Sequence, residues 1–226
     1  MKAKLLRLYV ALERGFGPQH WWPGRTAYEI AVGAVLTQHT AWANAARAVT
    51  ALRARGLLRP DRVAAMSEPA LAAIIRAAGT YRVKARRLQA FTRWLLARFG
   101  GRVSGMRRVA LPALRREMLG VPGLGPETVD AILLYAAGRP VFVADAYARR
   151  ALERHGVLPR DTGYEQARGV IEAHLPSDPA LFNEFHALLV ALGKVTAARS
   201  RFSAGGPRSA RPRRARPRRG PARPSP

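Results

Sequence analysis

Apolar residues recur at three- and four-residue spacing along most of this chain, with polar residues between them. Such a period is typical of helices that bury one face against a core. It predicts an amphipathic helix within residues 1–17 and nine further helices, at 26–38, 42–56, 68–78, 83–99, 109–119, 126–137, 145–155, 163–174 and 178–198. The one strand-like run, residues 141–143, is so short that we interpret it as an extended connector. The pattern therefore predicts an all-α protein.

Residues that start and stop helices stand where this pattern changes. Ser67, Pro126 and the run Ser177, Asp178, Pro179 are placed to begin helices. Glycine accepts the positive φ of a helix end without strain, and glycines stand at the predicted stops. These are Gly79, Gly100, Gly101, Gly138 and Gly156.

The charge of the chain is strongly one-sided. Its 39 Lys and Arg residues outnumber 14 Asp and Glu residues, for a formal net charge of +25. Such a field attracts polyanions, so a nucleic acid is the expected partner, although a ribosomal or membrane-surface protein can carry the same balance. No apolar stretch approaches the roughly 20 residues that span a bilayer, and the N-terminus lacks a signal-peptide pattern. We expect a cytoplasmic protein, nucleoid-associated if bacterial, with no membrane partner.

The chain contains no cysteine. This excludes disulfides, thiolate zinc sites, cysteine nucleophiles and iron–sulfur clusters, and no other metal site is predicted. Residues 206–226 hold eight Arg and six Pro and no acidic residue, so we expect a disordered tail that adds phosphate affinity or has little function. Taking eight from +25 leaves +17 on residues 1–205, so the excess charge belongs to the fold as well.

A short turn between two predicted helices, residues 121–125, reads Val-Pro-Gly-Leu-Gly. Its two glycines can take positive φ, and the turn brings successive backbone N–H groups to the start of the next helix. Unpaired amides and the helix dipole attract a phosphate there. Taken alone, the sequence slightly favours an ordinary turn between packed helices.

A single acid, Asp145, follows the apolar run at 141–144, twenty residues after the turn, and precedes an arginine-rich helix. An acid at a helix start is commonly only a cap. The two features in this order and spacing are more specific, and they resemble the helix-hairpin-helix and Gly/Pro-Asp superfamily of base-excision glycosylases, which includes endonuclease III. The resemblance extends over most of residues 18–205, with further matches at residues 37–40, 79–85 and 185–193.

The resemblance implies a fold and a set of roles. The fold would have two helical lobes with a cleft between them: residues 26–136 end in the hairpin, and residues 1–25 join 137–205, which carry the catalytic Asp145. The protein would act as a monomer, and its partner would be duplex DNA that carries a damaged base. The residues expected to contact this DNA are Gln38, which fills the gap left by the extruded base, His39, Gly123, Gly125, Glu127, Thr128, Arg149 and Arg150. A monovalent cation held by hairpin carbonyls follows from the same analogy.

The sequence departs from endonuclease III at two points. Glu127 stands two residues after the hairpin's last glycine, where those enzymes carry a nucleophilic lysine, and a carboxylate cannot form a Schiff base. Lys84 and Lys194 are the only substitutes in the fold, and neither matches that position. The four cysteines of the family's iron–sulfur cluster are also missing. We therefore predict a monofunctional glycosylase, without efficient strand cleavage and without a cluster.

One branch of the superfamily fits better, the 3-methyladenine DNA glycosylase III type, which also has a glutamate at this position. By this resemblance Trp21, Trp22 and Trp42 line an aromatic base pocket, and Lys194 lies near the catalytic acid, although each tryptophan can equally be a core residue. An alkylated purine carries positive charge, so stacking on indoles would gain roughly 1–2 kcal/mol. Such a base leaves readily, so Asp145 need only stabilise the sugar cation and orient water.

Other functions stay open at this stage. An enzyme of the same fold can remove uracil, mismatched thymine or oxidised pyrimidines, which need hydrogen-bond recognition that the sequence does not reveal. A non-catalytic helix-hairpin-helix DNA-binding protein is a second alternative, although a carboxylate close to phosphates opposes DNA binding. An RNA-associated basic protein is the third.

Overall fold

The computed structural model describes the backbone of residues 1–22 and 24–204 and the side chains of residues 1–22 and 24–196. Eleven α-helices lie in this part of the chain, in the order α1 (Lys2–Phe16), α2 (Ala27–Leu36), α3 (Trp42–Ala54), α4 (Pro60–Ala65), α5 (Glu68–Ile74), α6 (Tyr81–Phe99), α7 (Leu111–Leu119), α8 (Pro126–Ala131), α9 (Ala146–Arg154), α10 (Tyr164–His174) and α11 (Pro179–Ala204). Two 3₁₀ turns, Arg76–Ala78 and Val103–Arg108, and a π-helical turn, Ile132–Ala136, complete the regular structure. Because these residues form no strand, the all-α prediction is confirmed for them.

Most predicted helices appear within a few residues of their expected bounds. Helix α4 is missing from the prediction because it spans six residues, too few to show a helical period. The predicted helix 126–137 begins as α8 and continues as the π turn, so it is not α-helical to its end. The tail at residues 206–226 lies outside the described residues.

Local chemistry sets the helix ends. Gly79, Gly100, Gly138 and Gly156 all have positive φ at or just after a helix end, as the sequence predicts. The side chain of Ser67 accepts a hydrogen bond from Ala70 N at the start of α5. At the start of α11 the side chain of Asp178 accepts from Ala180 N at 2.8 Å. Residues 138–145, including the predicted connector 141–143, have no regular secondary structure.

The helices pack in two groups. Helix α11 packs against α9 and α1, and α1 also contacts α10. Helix α6 packs against α2, α4 and α5, while α7 pairs with α8 across the hairpin. The π turn contacts both α2 and α11, so it lies between the groups. The exact bounds of the two lobes stay a prediction.

A buried ionic network joins α7, α8 and α10. Asp130 is fully buried and accepts from Arg115 Nε at 2.7 Å and from the Tyr164 hydroxyl at 2.9 Å. Arg115 also pairs with Glu165 at 2.6 Å, and Arg168 lies 3.9 Å from Asp130. These contacts fix the hairpin helices against the group that contains α10. No helix of the described residues is long and apolar enough to cross a membrane.

Candidate active site

A cavity of about 780 Å³ opens where the residues before α2, the loop between α2 and α3, helix α8 and helices α9 and α11 meet. Nine of the residues predicted to act in binding or catalysis line it: Trp21, Trp22, Gln38, His39, Trp42, Glu127, Thr128, Asp145 and Lys194. They come from both helix groups, so tertiary packing brings together residues that lie far apart in the chain. Gly123, Gly125, Arg149 and Arg150 do not line the cavity.

Aromatic side chains form one wall of the cavity. The ring of Trp22 stacks on that of Tyr135, with centroids 4.9 Å apart and planes at 28°. Trp42 and Trp21 meet Trp22 edge to face, at 4.8 Å and 5.8 Å. A Cβ at Gly33 would lie 3.2 Å from Trp22 Nε1, so this glycine of α2 gives the indoles room. Each tryptophan is half-buried and packs on the core while it lines the cavity, and its role in holding a base stays a prediction.

The segment that carries Trp21 and Trp22 is held to helix α11. The Asn183 side-chain amide donates to the carbonyl oxygen of Trp21 at 2.7 Å. The backbone N–H of Gln19 donates to Glu184 at 2.7 Å. These two bonds place the N-terminal segment beside the helix that also carries Lys194.

Asp145 is the N-cap of α9, because its Oδ1 accepts a hydrogen bond from Ala148 N at 2.8 Å. The cap interpretation and the cavity position are therefore both true of this residue. Its Oδ2 lies 3.5 Å from His186 Nε2, and its side chain is 19% exposed. Burial raises the pKa of Asp145, but the charge of His186 and the backbone N–H groups of the cap outweigh it, so the pKa lies below its usual value. The carboxylate is thus ionised near neutral pH.

Glu127 stands in the first turn of α8 and lines the same cavity. The side chain of Glu127 is exposed, but desolvation by the surrounding protein and the negative charge of Asp145 raise its pKa, while His186, Arg149 and His39 oppose the rise. The pKa values of the two acids in the cavity are therefore pushed apart, and Asp145 has the lower one. Two carboxyl groups whose pKa values differ in this way can take different chemical roles.

The two alternative lysines of the fold lie in different surroundings. Lys84 is 1% exposed and lies outside the cavity, and its Nζ donates to the carbonyl oxygens of Leu36 at 2.8 Å and Ala78 at 2.6 Å. Burial and the charge of Arg87 lower the pKa of Lys84 to about 8. Lys194 is exposed at the cavity, and its Nζ lies 5.2 Å from the centroid of the Trp21 ring. Of the chain's four lysines, it alone lines the cavity.

The hairpin brings residues 121–125 against α6. Gly123 has φ 86, and a Cβ there would lie 2.3 Å from Arg87 Cγ, so both its conformation and its surroundings require glycine. Gly125 does not take the expected positive φ: it has φ −87 and forms the N-cap of α8. The expectation for this second glycine is wrong because an N-cap residue lies in the extended region, which any residue can adopt.

The two predicted phosphate-contacting arginines lie on α9, beside the cavity. Arg150 is exposed and stacks over Tyr147, a cavity residue, at 5.2 Å. Arg149 is half-buried and close enough to lower the pKa of Glu127. Both therefore add positive charge at the edge of the site.

Tyr135, His186 and Arg87 are among the residues of the site that the sequence did not predict. Tyr135 and His186 line the cavity, and Arg87 binds Gln38. The one signal for His186 was a lone histidine within the apolar run 185–193, which does not tell a site residue from a core residue.

A cysteine-held iron–sulfur cluster does not fit this chain, which has no cysteine. In the described residues, no group of three or more His, Asp or Glu side chains is placed to hold a metal ion. The hairpin carbonyl oxygens of Val121 and Gly123 already accept hydrogen bonds, from Leu124 N and from Gln38. A monovalent cation at the hairpin stays a prediction.

A family model for the HhH-GPD superfamily of base excision DNA repair proteins matches residues 32–176, which contain the hairpin, Glu127 and Asp145. The chain belongs to this superfamily. It is a DNA glycosylase of the HhH-GPD and endonuclease III family. Trp21, Trp22 and helix α11 lie outside the residues that match the family model.

Individual relatives agree with this assignment. A candidate DNA repair glycosylase of Methanocaldococcus jannaschii is 38% identical over 188 residues, which are 82% of this chain and 85% of that protein. Endonuclease III of Thermotoga maritima is 26% identical over 74% of this chain and 73% of its own length.

Solved structures show the same fold. The 3-methyladenine DNA glycosylase of H. pylori, bound to 1,N6-ethenoadenine, superposes with a TM-score of 0.72 at 24% identity and covers 85% of this chain and 98% of its own. A trapped endonuclease III–DNA covalent intermediate superposes with a TM-score of 0.73 at 21% identity, over 86% of this chain and 87% of that one.

Proposed function

We propose that this glycosylase is monofunctional and hydrolyses the N-glycosidic bond of an alkylated base of the 3-methyladenine type in duplex DNA. The observation that carries the proposal is the composition of one cavity. An ionised Asp145, an aromatic wall and a glutamate at the lyase position all line it. Each of these features favours one part of the proposed reaction.

The aromatic wall favours a flat, electron-poor base. Trp21, Trp22, Trp42 and Tyr135 line the cavity, and a cationic base stacked on desolvated rings gains about 1–2 kcal/mol. The enzyme would have to extrude the base from the duplex to reach this wall. The H. pylori relative, whose bound ligand is an adenine derivative, supports a purine in this position.

Asp145 supplies the chemistry. As the bond to the cationic base breaks, the base leaves as a neutral molecule and positive charge develops on the sugar. The carboxylate stabilises this charge and accepts the proton of the water that adds to the sugar carbon. The low pKa of Asp145 keeps it ionised for both tasks.

The absence of an amine at the Glu127 position supports hydrolysis without strand cleavage. Lyase chemistry needs an amine to form a Schiff base with the sugar. Glu127 stands where that amine would be, and Lys84 is buried outside the cavity. Lys194 lies over Trp21, on the side of the cavity formed by α11.

Binding of duplex DNA fits the charge of the chain. The net charge of +25 attracts the phosphate backbone. The proposed contacts are the hairpin around Gly123 and Gly125, the backbone amides of Glu127 and Thr128, and Arg149 and Arg150. Affinity should therefore fall steeply as salt rises.

The decisive experiment measures base release from duplexes that carry one lesion each. N3-methyladenine, uracil, thymine opposite guanine and an oxidised pyrimidine are compared, with products resolved with and without alkali. We expect release of methyladenine by the wild type, strand cleavage only after alkali, and no release by Asp145→Asn, which should still bind.

The other outcomes separate the alternatives. Release of only uracil or mismatched thymine would mean that the substrate is a neutral base and not an alkylated one. Cleavage of an oxidised-pyrimidine duplex without alkali would overturn the monofunctional proposal. No release from any duplex, with tight binding to DNA, would favour a non-catalytic binding protein, and preference for RNA would favour the third alternative.

A further inference from the structure

A buried imidazole stands between a tyrosine and the catalytic carboxylate. His186 of α11 is 4% exposed. Its Nδ1 lies 2.5 Å from the Tyr135 hydroxyl, and its Nε2 lies 3.5 Å from Oδ2 of Asp145. Among the described residues Nε2 has no regular hydrogen-bond partner, which leaves it facing Asp145. A buried polar atom without a partner is costly, so this arrangement calls for an explanation.

The Tyr135 hydroxyl allows a proton on Nε2 in either charge state of the imidazole. In the neutral ring with its proton on Nε2, the hydroxyl donates to Nδ1. When the ring is protonated, Nδ1 donates to the hydroxyl oxygen and Nε2 still carries a proton. A hydroxyl can be donor or acceptor, so the tyrosine accommodates Nε2–H in both states, and the carboxylate of Asp145, 3.5 Å from Nε2, favours a proton over a lone pair there.

The two oxygens of Asp145 are held from different parts of the fold. Oδ1 accepts from the backbone of its own helix, α9, at Ala148 N. Oδ2 faces His186 on α11. With only the cap bond, the carboxyl group could turn about its side-chain bonds, whereas contact with α11 fixes its plane relative to the cavity.

We propose that His186 is a positioning residue for glycosidic bond hydrolysis: anchored by Tyr135, it directs Nε2–H at Oδ2 of Asp145 and fixes the orientation of that carboxylate. This inference rests on the proposed function of Asp145. His186 touches neither base nor sugar in this role, and it acts only through the carboxylate.

The surrounding charges agree with this role. Five titratable groups line the same cavity as the Asp145 and His186 pair: Glu127 of α8, Tyr135 of the π turn, Tyr147 of α9, Lys194 of α11 and His39 of the loop after α2. Arg149 of α9 adds positive charge that acts on Glu127. Burial raises the pKa of Asp145, and His186 is the main group that lowers it again. Removal of His186 should therefore raise the pKa of Asp145, while Arg149 stays in place.

The test compares His186→Phe and His186→Gln with the full-length wild type. Phe keeps an aromatic ring in the core, and Gln offers an amide N–H without charge. Tyr135→Phe removes the anchor of the ring alone. His174→Gln, on α10 and bonded to the Val170 carbonyl at 2.8 Å, is the matched control outside the cavity. Single-turnover release of N3-methyladenine is measured across pH, with duplex affinity in parallel.

We expect His186→Phe to lower the rate roughly 100-fold, as misplacement of a reacting group does, with little change in duplex affinity. The acidic limb of its pH profile should move to higher pH, because a larger fraction of Asp145 is protonated. His186→Gln should restore part of the rate, but its acidic limb should remain at higher pH than that of the wild type. Tyr135→Phe should also move the acidic limb to higher pH. His174→Gln should behave as the wild type.

An unchanged rate and acidic limb in His186→Phe would overturn the inference, as would equal losses in rate and in duplex affinity. Inactivity of the wild type on every lesion would instead be a failure of the proposed function. A second measurement covers that case, the free energy of unfolding as a function of pH.

An Asp pKa lowered in the folded state stabilises the fold above the unfolded pKa, and this stabilisation is lost as pH falls through the folded pKa. The stability difference between the wild type and His186→Gln should therefore shrink in acid. A difference that is constant with pH would mean that His186 only fills space, and it too would overturn the inference.

Discussion

The side-chain amide of Gln38 donates to the Thr128 hydroxyl at 2.9 Å. It also donates to the Gly123 carbonyl oxygen at 3.1 Å, and its own oxygen accepts from Arg87 at 2.7 Å. The loop between α2 and α3 is thereby tied to the hairpin through one residue. His39, beside it, is exposed and held at φ 49.

This difference between neighbours leads to a first prediction. Gln38→Ala should lower the free energy of unfolding by about 1–3 kcal/mol, because it leaves partners of a part-buried network unpaired, and should weaken duplex binding. His39→Ala should weaken binding without changing stability. Chemical denaturation and duplex affinity of both variants test this. Unchanged stability of Gln38→Ala together with slow base release would mean that Gln38 acts in the DNA gap, as the family resemblance implies.

Glu127→Lys should create lyase activity. It places an amine in the cavity that contains Asp145, at the position of the family's nucleophile. We expect strand cleavage without alkali and a covalent complex with DNA after borohydride reduction. Glu127→Gln serves as the control and should give neither. A covalent complex with the wild type, abolished by Lys194→Ala, would show that Lys194 already serves as the amine.

Asp130→Asn should strongly destabilise the fold. Asp130 is fully buried against Arg115, and loss of one partner of a buried pair costs roughly 3–5 kcal/mol. Asp61→Asn is the matched control, since Asp61 pairs with Arg59 on the surface, where the median pair contributes about 0–1 kcal/mol. Equal denaturation midpoints for the two variants would show that the network contributes no more than the surface pair.

Lys194→Met should increase the activity of the enzyme on cationic bases relative to neutral ones. The Lys194 ammonium lies 5.2 Å from the Trp21 ring centroid, where it competes with a positive base for the same face. We expect kcat/KM for N3-methyladenine to rise several-fold and that for a neutral lesion, 1,N6-ethenoadenine, to stay the same or fall. Parallel kinetics on the two duplexes decide this. A loss on both would mean that Lys194 instead binds DNA or assists the reaction.

Local sequence determined the helices and their ends. The period of apolar residues gives the length and face of each helix, and Gly79, Gly138 and Gly156 end helices because glycine alone accepts positive φ without strain. Short elements escaped the prediction, since the six residues of α4 make less than two turns. The hairpin and Asp145 were recognisable because their spacing in the chain is characteristic of the superfamily.

The tertiary structure alone decided which side chains share the site. Tyr135, His186 and Asp145 lie on three elements, and Arg87 meets Gln38 across 49 positions of the chain. No local pattern encodes such contacts, because they depend on how helices cross and which faces they bury. The same holds for Lys84 and Lys194: the sequence leaves both available as amines, and packing buries the first and exposes the second at the cavity. Charge, helices and the family's carboxylate thus follow from the sequence, while the surroundings that set the pKa of that carboxylate arise only when α9 and α11 come together.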